Sequence, residues 1–267
     1  MTTATHHFAS PTERYLEAWH SRHADACRVF VEARDAAGRS SYERLASLAR
    51  DETSVLDIAC GTGVLLSLIR ARTTSTRLAG VDLCESELRL AQARLPEAQL
   101  SLARAQALPV ADGSLDLVLC HMALMLMDDP EQALAEARRV LRRGGTFSAV
   151  TNRPTAPDGI AKAILAAVRS RWDRSDTALH PPPLGDKRTH DPETLLPLLE
   201  AHFEQVVIEP FAVTQLVPRR KLWPYLVNSL YGLDAISAED GDDILNSLSL
   251  PEPVPWTLAM VQVQGRA

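Results

Sequence analysis

Asp57, the small-residue turn Ala59-Cys60-Gly61-Thr62-Gly63 and Asp82 are the positions whose types and spacing point to chemistry. The apolar run 55–58 brings Asp57 to the end of a buried strand, and residues 64–69 follow the turn with helical spacing. Gly61 and Gly63 tolerate positive φ and let the backbone approach a ligand closely. Amides at the start of the following helix would face that ligand. The turn is therefore a cradle for a nucleotide-like cofactor, or a tight turn alone. The next apolar run, 77–83, ends in Asp82 about 20 residues beyond Gly63, where an acidic side chain holds a ribose diol in doubly wound folds. A third glycine at dinucleotide spacing is missing after Gly63.

His121 follows another apolar run, 115–122. A near-neutral pKa suits it to take a proton from a hydroxyl or an amine, or it bonds the loop and lines the cofactor. The soft apolar stretch Met122, Leu124, Met125, Leu126 and Met127 is expected in the core, with its loop part free to wall an apolar acceptor.

Alternating strands and helices must hold these residues. Residues 15–37 and 41–50 are expected as helices joined at Gly38-Arg39-Ser40, and 85–95 as a helix ended by Pro96. Strands are expected at 55–58, 77–83, 99–105, 115–122 and 146–152. A helix over 130–143 has Pro130 at its start and Gly144-Gly145 past its end. Beyond these come a helix at 160–174, a stiff loop from His180 to Pro183, and a helix capped by Asp191 and begun by Pro192. Sixth and seventh strands at 203–213 and 256–264 enclose helices at 219–232 and 237–248. Such alternation makes an α/β, doubly wound fold with both faces of a parallel sheet covered.

The 267 residues suffice for one large domain, or a domain with an added cap. Net charge is −6 with no sustained Lys/Arg run, which disfavours a nucleic-acid partner. Arg138, Arg139, Arg142 and Arg143 cluster where cations suit a helix C-terminus. Cys27, Cys60, Cys84 and Cys120 show no paired spacing, so a reducing, cytoplasmic setting is expected, with no metal site. No apolar run reaches membrane-spanning length, and the stretch around His6 and His7 has no apolar signal core.

The two strand tips, with LPVADGSLDLVLCHMALMLM and RRVLRRGGTFSAV downstream, resemble the class I S-adenosylmethionine-dependent methyltransferases. The nearest likeness is to the small-molecule branch that includes the ubiquinone and menaquinone methyltransferases. It is specific over about residues 42–151 and architectural beyond. The resemblance implies a seven-stranded, mostly parallel sheet whose antiparallel last strand enters between the fifth and sixth. It also implies an N-terminal helical cap, 1–50, before a methyltransferase domain, 51–267, with a helical lid insertion at about 218–250.

For the site it implies S-adenosyl-L-methionine as cofactor and S-adenosyl-L-homocysteine as product. Asp82 accepts the ribose hydroxyls; Asp57 orients the loop Ala59, Cys60, Gly61 and Gly63 and reaches the amino end. Leu83 and Ala105 wall the purine beside Gln106, Cys120 offers its carbonyl to the ammonium, and His121 is the expected base. Tyr15, Trp19, His20, His23, Ser41 and Tyr42 would close the methionine end, while Trp172, Trp223, Tyr225 and Tyr231 pack the cap and lid. The chain departs from the family at the adenine end. The segment from Ala105 to Pro109 is usually preceded by Gly-Asp, whose aspartate accepts the adenine amino group, and here the residues are Ala103 and Arg104. Arginine has no acceptor, so that bond is absent or falls to a carbonyl, a water or Gln106, while Arg104 stacks on the purine or points to solvent. The activity implied is methyl transfer to a small, largely apolar acceptor of specialised metabolism, at oxygen ahead of nitrogen or carbon. A non-methylating enzyme such as a cyclase, or a non-catalytic subunit, is the alternative that Arg104 keeps open. An RNA or protein methyltransferase is the third reading.

Overall fold

A computed structural model describes residues 10–24, 26, 29–153, 159–172 and 183–267. Cys27, the His6-His7 stretch, most of the stiff loop at His180 and the Trp172 side chain lie outside the described residues. Among the described residues seven strands form one sheet in the order β3-β2-β1-β4-β5-β7-β6. They are β1 (Ser54–Ile58), β2 (Arg77–Asp82), β3 (Gln99–Leu102), β4 (Leu115–His121), β5 (Leu141–Asn152), β6 (Glu204–Val217) and β7 (Val254–Arg266). The first five pair in parallel, and β7 runs antiparallel between β5 and β6. This is the expected architecture, including the inserted last strand.

Every residue of β1 is buried, as a central parallel strand covered on both faces requires. Along β4 the side chains alternate between two cores. Val118 and Cys120 join Leu134 and Val140 of a helix at Pro130–Val140 on one face. Leu117 and Leu119 join Leu45 and Leu65 on the other. In chain order the helices are α1 (Pro11–Arg22), α2 (Val29–Glu32), α3 (Ser41–Ala46), α4 (Val64–Arg70), α5 (Glu85–Arg94), α6 (Pro130–Val140), α7 (Gly159–Trp172), α8 (Pro192–Glu200), α9 (Arg219–Val227) and α10 (Ala238–Asn246). Leu45 of α3 shares its core with β1 and α4, so this helix ahead of β1 is packed into the body of the sheet.

Several expected helices are shorter than their periodicity suggests: that from 41 ends at Ala46 and that from 219 at Val227, and for two others the local cause is plain. The first stops at Arg22 instead of running to residue 37, because His23 Nδ1 lies 2.9 Å from the Trp19 carbonyl and its ring stacks on the Trp19 indole. The other stops at Val140. Gly113 and Ser114 amides take the carbonyls of Arg139 and Val140, and Leu141 already pairs with Leu115 as the start of β5. Arg142 therefore pairs with Asp116 from a strand, while Arg139 is held by Glu136 and Asp112. These arginines are tied into local ion pairs.

The β6-β7 ribbon continues past the end of β5, pairing as far as Val217 with Val254. Its extension carries a third core, in which Trp256 packs with residues of α7, α9 and α10. Helices α9 and α10 are the expected insertion between the last two strands. They approach so closely that a Cβ at Gly241 would lie 2.0 Å from the Trp223 indole. Among the described residues no helix is long and apolar enough to cross a membrane.

Candidate functional site

The ends of β1, β2, β4 and β5 open into a cavity of about 330 Å³ beneath α1 and the segment after α9. It lies where the strand order reverses between β1 and β4, the crevice in which open parallel sheets bind ligands. The turn after β1 forms as expected: Gly61 and Gly63 adopt φ of 51° and 76°. Arg94 donates to the Thr62 carbonyl at 2.7 Å and pins the turn from α5.

Asp82 is the hinge between turn and cavity. Its Oδ2 accepts from the Gly61 amide at 2.8 Å and its Oδ1 from the Cys84 amide at 2.9 Å. Burial, then the nearby Glu87 charge, push its carboxyl up to about 6, against those two amide bonds. A carboxylate has about four acceptor positions, so two amides leave room for a diol.

Of the residues expected at the site, Ala59, Gly61, Asp82, Leu83, Ala105, Gln106 and His121 line the cavity. The structure puts Asp57, Cys60, Gly63 and Cys120 behind that wall. Asp57 is buried, with Oδ1 unpartnered among the described residues, and burial followed by the Asp82 charge holds its carboxyl well above the usual range. The Cys60 thiol lies against Gly80, and Gly63 packs on Ala91 of α5. Burial raises both the Cys60 and Cys120 thiols, Cys120 to about 12, so both are neutral and unreactive. The half of the turn from Ala59 to Gly61 faces the cavity, and the half leading into α4 does not.

His121 has partners that sequence alone does not reveal. Its Nε2 lies 2.9 Å from Ser41 Oγ, and its ring stacks on Tyr42 with centroids 3.6 Å apart. Burial pushes its pKa down to about 3, so the ring is neutral and a weak base near pH 7. Its Nδ1 is buried without a partner among the described residues, as is the Trp19 indole nitrogen on the same cavity wall.

Several wall residues escaped sequence reasoning because distant segments bring them. Glu13, Leu16, Glu17 and His20 are spaced i, i+3, i+4 and i+7 on α1 and all face the cavity. Of these four His20 was expected at the site, and the charged stripe beside Trp19 is the signal that would have found the other three. His20 Nδ1 is 3.2 Å from Glu87 Oε1 and its Nε2 3.0 Å from the Tyr231 hydroxyl. Burial opposes charge on His20, but the Glu87 bond and the charges of Glu87 and Asp82 leave its pKa raised. Arg104 neither stacks in the cavity nor stands alone: its Nε donates to Glu13 Oε1 at 2.7 Å. At the β5 end, His190 Nδ1 donates to Asn152 Oδ1 at 3.2 Å, and both line the cavity. Burial lowers the His190 pKa. Met122, Met125, Leu126 and Met127 supply the apolar side of this chamber.

The described wall carries five carboxylates, Glu13, Glu17, Asp82, Glu87 and Asp128, and neither lysine nor arginine. Such a wall suits a cationic or neutral ligand. Its carboxylates, apolar patches and unpartnered buried nitrogens fit a ligand with a diol, a flat base and positive charge.

Residues 56–149 match the family model described as a methyltransferase domain. A protein in a transposon of Streptomyces fradiae is 42% identical over 101 residues, covering 36% of this chain and 29% of that one. A malonyl-(acyl-carrier protein) O-methyltransferase of Methylococcus capsulatus is 29% identical over 159 residues, covering 58% of this chain and 55% of that one. The chain thus spans 29% and 55% of the length of these two relatives. Geranyl diphosphate C-methyltransferase from Streptomyces coelicolor was solved with Mg2+, geranyl diphosphate and S-adenosyl-L-homocysteine. It is similar in fold at a TM-score of 0.52 and 13% identity, covering 85% of this chain and 79% of that one.

Proposed function

We propose, from the premise that residues 56–149 are a class I S-adenosylmethionine-dependent methyltransferase domain, that the chain methylates a small, largely apolar molecule, at oxygen before nitrogen or carbon. The observation that carries this reading is the cavity wall at the β1-β4 crevice: carboxylates and histidines over apolar patches, without a lysine or arginine among the described residues. Bound there, S-adenosylmethionine supplies a methyl group on a positive sulfur, which keeps the bonding electron pair as the methyl passes to the acceptor.

The protein's own contribution is mainly positioning, which alone accounts for much of such a rate. Asp82 holds the ribose hydroxyls, Ala59 and Gly61 present backbone to the methionine part, and Leu83 and Ala105 flank the purine. Asp57 acts on the turn from behind the wall. The acceptor sits by the β4 and β5 ends, between His121, Asn152, His190 and the methionines. His190 takes its proton, because the bond from Nδ1–H to Asn152 leaves the Nε2 lone pair as the basic atom. His121, held by Ser41 and stacked on Tyr42, orients the acceptor.

The wall also narrows the acceptor class. A free carboxylate or phosphate would meet like charge with no lysine or arginine among the described lining residues to pair it. The acceptor is therefore a neutral phenol, alcohol or amine, of the kind found in specialised metabolism, and not a nucleic acid. The test is a screen with methyl-labelled S-adenosylmethionine over phenols, alcohols, amines, carboxylic acids and phosphorylated alcohols. Label transfer to neutral acceptors is expected. Transfer confined to the carboxylic acids or phosphates would overturn the substrate class.

A further inference from the structure

We propose that Glu13, carried over the sheet by α1 and held there by Arg104, is the residue that recognises the 6-amino group of the cofactor's adenine. This rests on the methyltransferase reading above and assigns a residue that the strand tips do not supply.

The order of the strands sets where the base must lie. A reactive end at the β1-β4 crevice and a diol at Asp82, on the tip of β2, direct the base toward β3, the next strand outward. Leu83, Ala103 and Ala105 line the cavity from that side of the sheet, Leu16 and Glu13 line it from α1, and the Glu13 carboxylate reaches Arg104, which lies between Ala103 and Ala105. Arg104 lies between two wall residues but is not itself part of the wall. It is 32% exposed against 9% for Glu13, and the two side chains meet at 2.7 Å across 91 positions of sequence.

A guanidinium has five donors and no acceptor, so it cannot receive a hydrogen bond from an exocyclic amine. The carboxylate beside it can, since two oxygens offer about four acceptor positions and Arg104 Nε fills one of them. The helix that carries Glu13 is fixed at both ends. Ser10 caps it through the Glu13 amide at 3.1 Å, and His20 ties its far end to Glu87 on α5. The arginine at the tip of β3 thus recruits a carboxylate from α1 in place of one on its own strand. Glu13 is the binding residue and Arg104 positions it.

The experiment compares calorimetric titrations of the full chain with S-adenosyl-L-homocysteine and with S-inosyl-L-homocysteine, in which an oxo group replaces the 6-amino group. Wild type is expected to prefer the adenosyl ligand by about 10- to 100-fold, the range of a hydrogen bond to a charged group. Glu13→Ala loses that preference, so the two dissociation constants converge. Arg104→Ala keeps the acceptor but releases it, giving an intermediate ratio, an effect that helix stability alone would not produce. Glu13→Gln, a near-isosteric change whose amide also donates, narrows the ratio without truncating the side chain. An unchanged preference in both Glu13 variants overturns the assignment. Failure of wild type to bind either ligand overturns the methyltransferase reading and this one with it.

Discussion

Protonation of Asp82 should weaken cofactor binding about tenfold within two pH units of neutrality. Burial and the Glu87 charge push this carboxyl up to about 6, while the Gly61 and Cys84 amides hold its two oxygens in place. A ribose diol donates to the ionised form, so affinity follows the ionised fraction. With a pKa of about 6, that fraction falls about tenfold between pH 7 and pH 5, or about 1.4 kcal/mol of binding free energy. Linkage in the free protein has the opposite sense. A carboxyl raised from 3.8 to about 6 contributes stability that is fully present below its unfolded pKa and lost as pH rises through 6. The free protein therefore gains about 1.3 kcal/mol of stability from this group between pH 7 and pH 5, of the roughly 3 kcal/mol it contributes in full once pH is below 3.8. Equilibrium dialysis with labelled S-adenosylhomocysteine at pH 7, 6 and 5 reads the first effect. Asp82→Asn is the control: weak binding with a flat pH profile is expected, although His20 still titrates nearby. Flat wild-type affinity, or an unchanged slope in Asp82→Asn, would refute the reasoning.

The two histidines of the acceptor chamber should separate kinetically. His190→Ala should lower kcat at least about a hundredfold and remove the acidic limb of its pH profile, within the usual range for general-base loss. His121→Ala should mainly raise KM for the acceptor while leaving that limb in place; the reverse pattern would exchange their roles. Between α9 and α10, Gly241→Ala should destabilise by about 1–3 kcal/mol, because the added Cβ would meet the buried Trp223 ring. Helix propensity alone favours alanine by about 1 kcal/mol, so a rise in Tm would show that α9 and α10 are not packed this closely.

What the sequence made legible was local. The β1 run, its turn and the β2 tip announce themselves through periodicity and glycine, and each lies within a few residues of what it positions. The antiparallel β7 came from family likeness, since its own pattern does not tell its direction. The rest of the cavity wall depends on pairings that no local window contains. Glu13 meets Arg104, His20 meets both Glu87 and Tyr231, and His190 meets Asn152 across stretches of 38 to 211 residues. Arg104 was readable as a missing acceptor, but where the acceptor had gone required the path of α1 over the sheet. The neutral state of His121 was equally hidden, because its burial is created by Ser41, Tyr42 and Phe30 from the N-terminal segment.

The most direct test of the central claim is an isothermal titration of the intact protein with S-adenosylmethionine and S-adenosylhomocysteine at neutral pH. Micromolar binding of both, with the homocysteine product equal or tighter, is the result expected of a methyltransferase whose cavity holds the cofactor at Asp82. No binding of either ligand at millimolar concentration would contradict it.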